Sequence, residues 1–110
     1  MKNKRITIES RGAIYAVDMD DIFYLEQEGR KIAVHVSDGI HCFYGKLAEA
    51  VKALEGNFFK CHSGCAINMD KVTHIKGQYV FFSNKEYIIL GRENSLRARH
   101  SFKEYIARSF

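Results

Sequence analysis

The sequence predicts a single, mainly β domain with short helices, and three observations carry that expectation. Apolar and polar residues alternate in many short runs, such as Arg5-Ile6-Thr7-Ile8 and Ile32-Ala33-Val34-His35-Val36, which is the period of strands lying on a core. Gly, Asn, Asp and Ser punctuate these runs, and proline is absent altogether, so the turns rest on those four residue types. Helical spacing shows up only twice, after Gly45 and from Glu93 onward. The chain has 110 residues, 46% of them hydrophobic and 27% charged, which suits one compact domain over residues 1–110 and excludes a disordered tail.

Taken in order, Arg11-Gly12 forms a turn between the first alternating run and a second from Ala13 to Val17, and Ile22 to Leu25 is a short apolar run beside acids. Gly29-Arg30-Lys31 makes a basic turn. In the strand that follows, Ile32, Val34 and Val36 share one face and Ala33 and His35 the other, and Ser37-Asp38-Gly39 signals a hairpin before Ile40 to Tyr44. Leu47, Ala50, Val51 and Leu54 then fall on one helical face, with Lys46, Glu49 and Lys52 turned away and Gly56-Asn57 as the stop.

The stretch from Phe58 to Asp70 crowds a cation, two thiols, an imidazole, a hydroxyl, an amide and a carboxylate between apolar anchors. It reads as a surface loop held on a core. Alternation resumes at Lys71 to Ile75, and Gln78 to Phe82, Ser83-Asn84-Lys85 and Tyr87 to Leu90 form a second hairpin. Leu96, Phe102, Tyr105, Ile106 and Phe110 mark the apolar side of a closing helix that exposes Arg97, Lys103 and Arg108. The phenylalanines Phe23, Phe43, Phe58, Phe81 and Phe102 are assigned to the core.

Net charge is +4, and it is unevenly spread. Six acids face one base, Arg11, between Glu9 and Glu28, whereas six bases face three acids from Lys85 to the end. A basic end and an acidic end would orient a polyanion by their field alone. No apolar run approaches the roughly 18 residues of a membrane span, and three cysteines are too few for a secreted disulfide framework, so the cytoplasm is the expected compartment.

Four segments carry a resemblance: Asp21-Ile22-Phe23-Tyr24-Leu25-Glu26, Phe43-Tyr44-Gly45-Lys46-Leu47, Phe58-Phe59-Lys60-Cys61-His62-Ser63 leading to Ile67-Asn68, and Leu90-Gly91-Arg92. In their order and spacing the chain resembles the LytTR family of bacterial DNA-binding domains over essentially its full length. The resemblance implies three small, mostly antiparallel sheets with short helices and a C-terminal helix. It also implies a non-enzymatic, sequence-specific duplex-DNA-binding transcriptional regulator that reads DNA through loops. Such a domain would be the output part of a response regulator in a two-component system, with a receiver domain or sensor kinase as partner. Its target would be tandem direct-repeat half-sites, with a second copy on the DNA.

Carried over by position, base contacts fall to Arg30, Ser63 and Arg92. Arginine's planar fork can reach guanine O6 and N7 together, and a serine hydroxyl can donate or accept. Lys31, Lys60, His62, Lys71 and Asn94 would hold the backbone or support the loops, and Asn68 would shape its loop through hydrogen bonds. This chain departs from the usual family pattern at Lys60, Ser63 and Gly64 in the second loop and at Gly91 in the third.

Two other chemistries compete. Cys61, His62 and Cys65 with a fourth ligand from His41, Cys42 or His74 would suit zinc, but a second clustered pair is missing, so no metal or cofactor is expected. The runner-up function is a small zinc-binding or protein-interaction module with a basic surface. A cysteine nucleophile is disfavoured because adjacent Cys61 and His62 point to opposite sides of an extended chain. Beside Lys60, Cys61 is a candidate redox-sensitive thiol.

Overall fold

In the computed structural model, residues 4–54 and 56–109 are described. Phe110, assigned above to the closing helix, lies outside them, as do residues 1–3 and Glu55. Among the described residues there are ten strands in three antiparallel sheets and two α-helices. Strands β1 (Arg5–Ser10) and β2 (Ala13–Asp18) form a hairpin. Its two-residue turn needs positive φ at both positions, which Arg11 (53°) and Gly12 (79°) adopt.

A five-stranded sheet forms the middle layer, built from β3 (Ile22–Glu28), β4 (Lys31–Val36), β5 (Gly39–Tyr44), β6 (Phe58–His62) and β7 (Cys65–Asn68) in the spatial order β5-β4-β3-β7-β6. Helix α1 (Leu47–Ala53) lies between β5 and β6 in the chain. A third sheet holds β8 (Val72–Lys76), β9 (Tyr79–Phe82) and β10 (Tyr87–Ile89), and α2 (Arg92–Ser109) closes the chain.

The inner strands β3, β4 and β7 of the middle sheet are covered on both faces, so they are apolar on both sides over most of their length. One core joins Ile22, Leu25, Ile32, Val34, Val36 and Ala66 to Ile8 and Val17 of the hairpin and Leu47 of α1. The other joins Tyr24, Cys61, Cys65 and Ile67 to Val80 and Phe82 of the third sheet and Ala98 of α2. Strict alternation would send Phe23 and Tyr24 to opposite faces, yet both lie in the second core. A register shift between Ile22 and Tyr24 accounts for it.

His35 is buried, stacked on the Tyr24 ring at 3.9 Å with its Nε2 3.1 Å from Glu26 Oε1. It is a packed histidine, in keeping with its place opposite Val34 and Val36. Three assignments from the sequence need correction. Phe81 sits on the outer face of the third sheet, 4.4 Å from the His74 ring and beside exposed Tyr79 and Tyr87, because Val80 and Phe82 take the inward positions. Leu96 and Ile106 are exposed on α2, whose packing rests on Ala98, Phe102 and Tyr105.

Candidate nucleic-acid interface

Antiparallel pairing decides which turns meet. Glu28 pairs with Lys31 across the Gly29-Arg30 turn, and Lys31 pairs with Tyr44, so the β3–β4 turn and the β5–α1 junction share one end of the middle sheet. His62 pairs with Cys65 across Ser63-Gly64, and β7 is aligned so that Glu26 faces Cys65. The Gln27 main-chain N–H then donates to Gly64 O at 2.9 Å, which brings the β6–β7 turn to that same end. The stretch expected to be a loop is thus a β-hairpin, with Cys61 and Cys65 facing inward and Lys60, His62 and Ser63 exposed.

Helix α2 runs antiparallel to β6. Arg97 donates to Cys61 O at 2.7 Å and lies 5.3 Å over the Phe59 ring, while Tyr105, two turns on, bonds Asp70 at the other end of the sheet. The α2 N-terminus therefore points toward the β6–β7 tip, and Arg92 starts the helix about 7 Å beyond Arg97 along its axis. Arg92 and Asn94 belong to the first turn of α2, not to a loop. Three segments far apart in sequence thus lie toward one end of the middle sheet, offering Arg30 and Lys31, His62 and Ser63, and Arg92.

Local chemistry fixes these groups. His62 Nδ1 accepts from Gly64 N at 3.0 Å, so a neutral ring carries its proton on the outward Nε2, ready to donate. Lys31 Nζ sits 5.1 Å over the ring of Tyr44, itself 73% exposed. Arg30, Lys60 and Ser63 are exposed, and Asn94 is half-buried. Lys71 does not join them. It ends the 3-10 turn after β7 at the opposite end, some 20 Å away by strand rise, with its Nζ 5.6 Å over the Phe23 ring.

That opposite end is built differently. Asn68 is 2% exposed; its Nδ2 donates to Ile22 O at 2.8 Å and its Oδ1 accepts from Asp70 N at 3.0 Å. Asp70 also accepts from Asn57 Nδ2, and Asp21 accepts from the Ser37 hydroxyl. Asp18, Asp20, Asp21, Asp38 and Asp70 gather here. The charge asymmetry of the sequence becomes a polarity along the sheet, set by pairing: Glu28, from the acidic run, lies at the basic end.

Cys61 is fully buried. Its hydrogen bond with Cys65, then burial, pushes its thiol pKa far up, and Lys60 projects from the other face of β6, so the expectation that Lys60 favours a thiolate is corrected. No group of three or more His, Cys, Asp or Glu that could hold a metal is found among the described residues.

Sequence reasoning missed two residues. Gln27 ties the basic turns together, and its signal was slight: one amide at the end of an apolar strand. Arg97, taken only as exposed, pins α2 to β6. No helix among the described residues is long and apolar enough to cross a membrane.

The fold matches a solved structure, the LytTr DNA-binding domain of a putative methyl-accepting/DNA response regulator from Bacillus cereus, with a TM-score of 0.76 over 92% of this chain and 97% of that one at 18% identity. Accessory gene regulator protein A of Staphylococcus aureus strains N315 and MW2 is 32% identical over 75 residues, 64% of this chain. The match spans 31% of the length of those relatives. A family model described as the LytTr DNA-binding domain matches residues 12–106. With a model that covers most of the chain and a fold that agrees, this chain belongs to the LytTr DNA-binding domain family.

Proposed function

We propose that this DNA-binding domain regulates transcription without catalysis, as the cytoplasmic output part of a response regulator, by reading duplex DNA at the basic end of its middle sheet. Arg30, Ser63 and Arg92 read base edges; Lys31, Lys60, His62 and Asn94 hold phosphates or support the turns. The target is a pair of tandem half-sites, each bound by one copy, and a receiver domain or its kinase supplies the signal. One observation supports the reading above all: two polar turns of the middle sheet and the start of α2, from distant parts of the chain, lie toward one end of that sheet, with Arg30, Ser63 and Arg92 exposed. Fixed donors on rigid elements are what direct readout requires.

Selection of bound sequences from a random duplex library, with wild type and Arg92→Ala compared at two salt concentrations, tests this. An enriched pair of similar half-sites, blurred at one base by Arg92→Ala, is the expected result. Weak binding that vanishes at moderate salt and enriches nothing would reduce the basic end to generic charge.

A further inference from the structure

Gln27 occupies the last half-buried position of β3 before the exposed turn, and its side chain is saturated by the backbone of two neighbouring segments. Nε2 lies 3.0 Å from Gly29 O and 3.1 Å from Lys31 O in its own turn, and 2.9 Å from Gly45 O at the β5–α1 junction, so its two N–H groups serve three carbonyls. Oε1 accepts from Leu47 N at 2.7 Å. That bond matters because Lys46, preceding α1, gives no side-chain cap, and the first N–H groups of a helix have no partner within it. The main-chain N–H reaches the third segment at Gly64 O.

We propose that Gln27 is the positioning residue of the DNA-reading surface: its side-chain amide sets the separation between the Arg30 turn and the Tyr44-Gly45-Lys46 junction, on the strand whose main-chain N–H at the same residue holds the Ser63-Gly64 turn. The inference rests on the function proposed above. Gln27 itself is turned into the backbone and touches no base. Its effect is preorganisation, since turns already held in the bound geometry lose less freedom on binding. Reading of sequence depends on that geometry, whereas attraction to phosphates depends on charge, which Gln27 does not carry.

The test uses the full chain and Gln27→Met, which keeps length and removes the amide. Affinities are measured for the selected duplex and for a random duplex across a salt series. The expected result is a roughly tenfold loss on the selected duplex, a change under about twofold on the random one, and an unaltered salt slope. Amide exchange at Leu47 should quicken. If Gln27→Met does not fold, Gln27→Asn, whose shorter amide cannot reach all three carbonyls, is put through the same measurements with the same expectation. A selective wild type with equally selective folded variants would overturn the inference alone. A wild type that does not discriminate between the two duplexes would overturn the DNA-reading proposal and this one with it.

Discussion

The two ends of the middle sheet carry similar residue types and use them in opposite ways. At the acidic end, Asn68, Asp70 and Asp21 spend their side chains on Ile22 O, the Asp70 amide, Asn57, Tyr105 and Ser37. At the basic end the shaping falls to Gln27 and one nitrogen of His62, which leaves Arg30, Ser63 and the other His62 nitrogen facing solvent. A polar residue on a turn contributes to folding when its partners are internal, and to recognition when its neighbours have already done that work.

Substitutions at the two ends should separate those effects. The largest is expected from Asn68→Leu, which strands the buried Ile22 carbonyl and the Asp70 N–H; it should cost about 2–4 kcal/mol of stability in denaturant unfolding. DNA affinity measured on the folded fraction should stay near wild type. Arg92→Ala should do the reverse, losing about 1–3 kcal/mol of binding at one base position with an unchanged unfolding midpoint. Equal losses on all sequences would mark Arg92 as a phosphate contact.

Arg97→Ala removes a charged donor from Cys61 O and a cation from the Phe59 ring. Because Arg97 is exposed, about 1 kcal/mol of stability is expected, read by thermal unfolding. Lys31→Ala is the mildest of the four, a nearly uniform weakening on all duplexes that lowers the salt slope by about one.

Stability should also depend on pH through the core. Cys61 is held protonated by its bond with Cys65 and by burial, and Tyr24 by burial and the nearby Glu26 and Glu86 carboxylates. Both folded pKa values lie above the unfolded ones, so the unfolded chain releases protons first. Stability is then full below the ordinary thiol pKa of about 8.5 and declines as pH rises beyond it, with Tyr24 adding its share above about 10. Unfolding midpoints of wild type and Cys61→Ala between pH 7 and 10 check this; the variant should show the shallower decline.

Much of this was legible in the sequence because strands and their turns are local. The alternation of Ile32 to Val36 and the Arg11-Gly12 turn needed only neighbouring residues. What was not legible depends on partners far away. Phe58 to Asp70 read as a loop because its polar groups are dense, while its apolar positions pair with β3 and face α2. Lys71 looked like a neighbour of Lys60, but one strand length sends it to the far end. Cys61 looked reactive beside Lys60 until the pleat put them on opposite faces. Gln27 matters through carbonyls that carry no side-chain signature at all.

The most direct measurement is a nitrogen-15-labelled titration of the chain with the selected duplex, following backbone amides at moderate salt. Shifts confined to Gly29–Lys31, His62–Gly64 and the first turn of α2, with Asp21, Asp38 and Asn68–Asp70 unmoved, are what the two-ended account predicts. Shifts centred on the acidic end, or spread evenly over both, would contradict it.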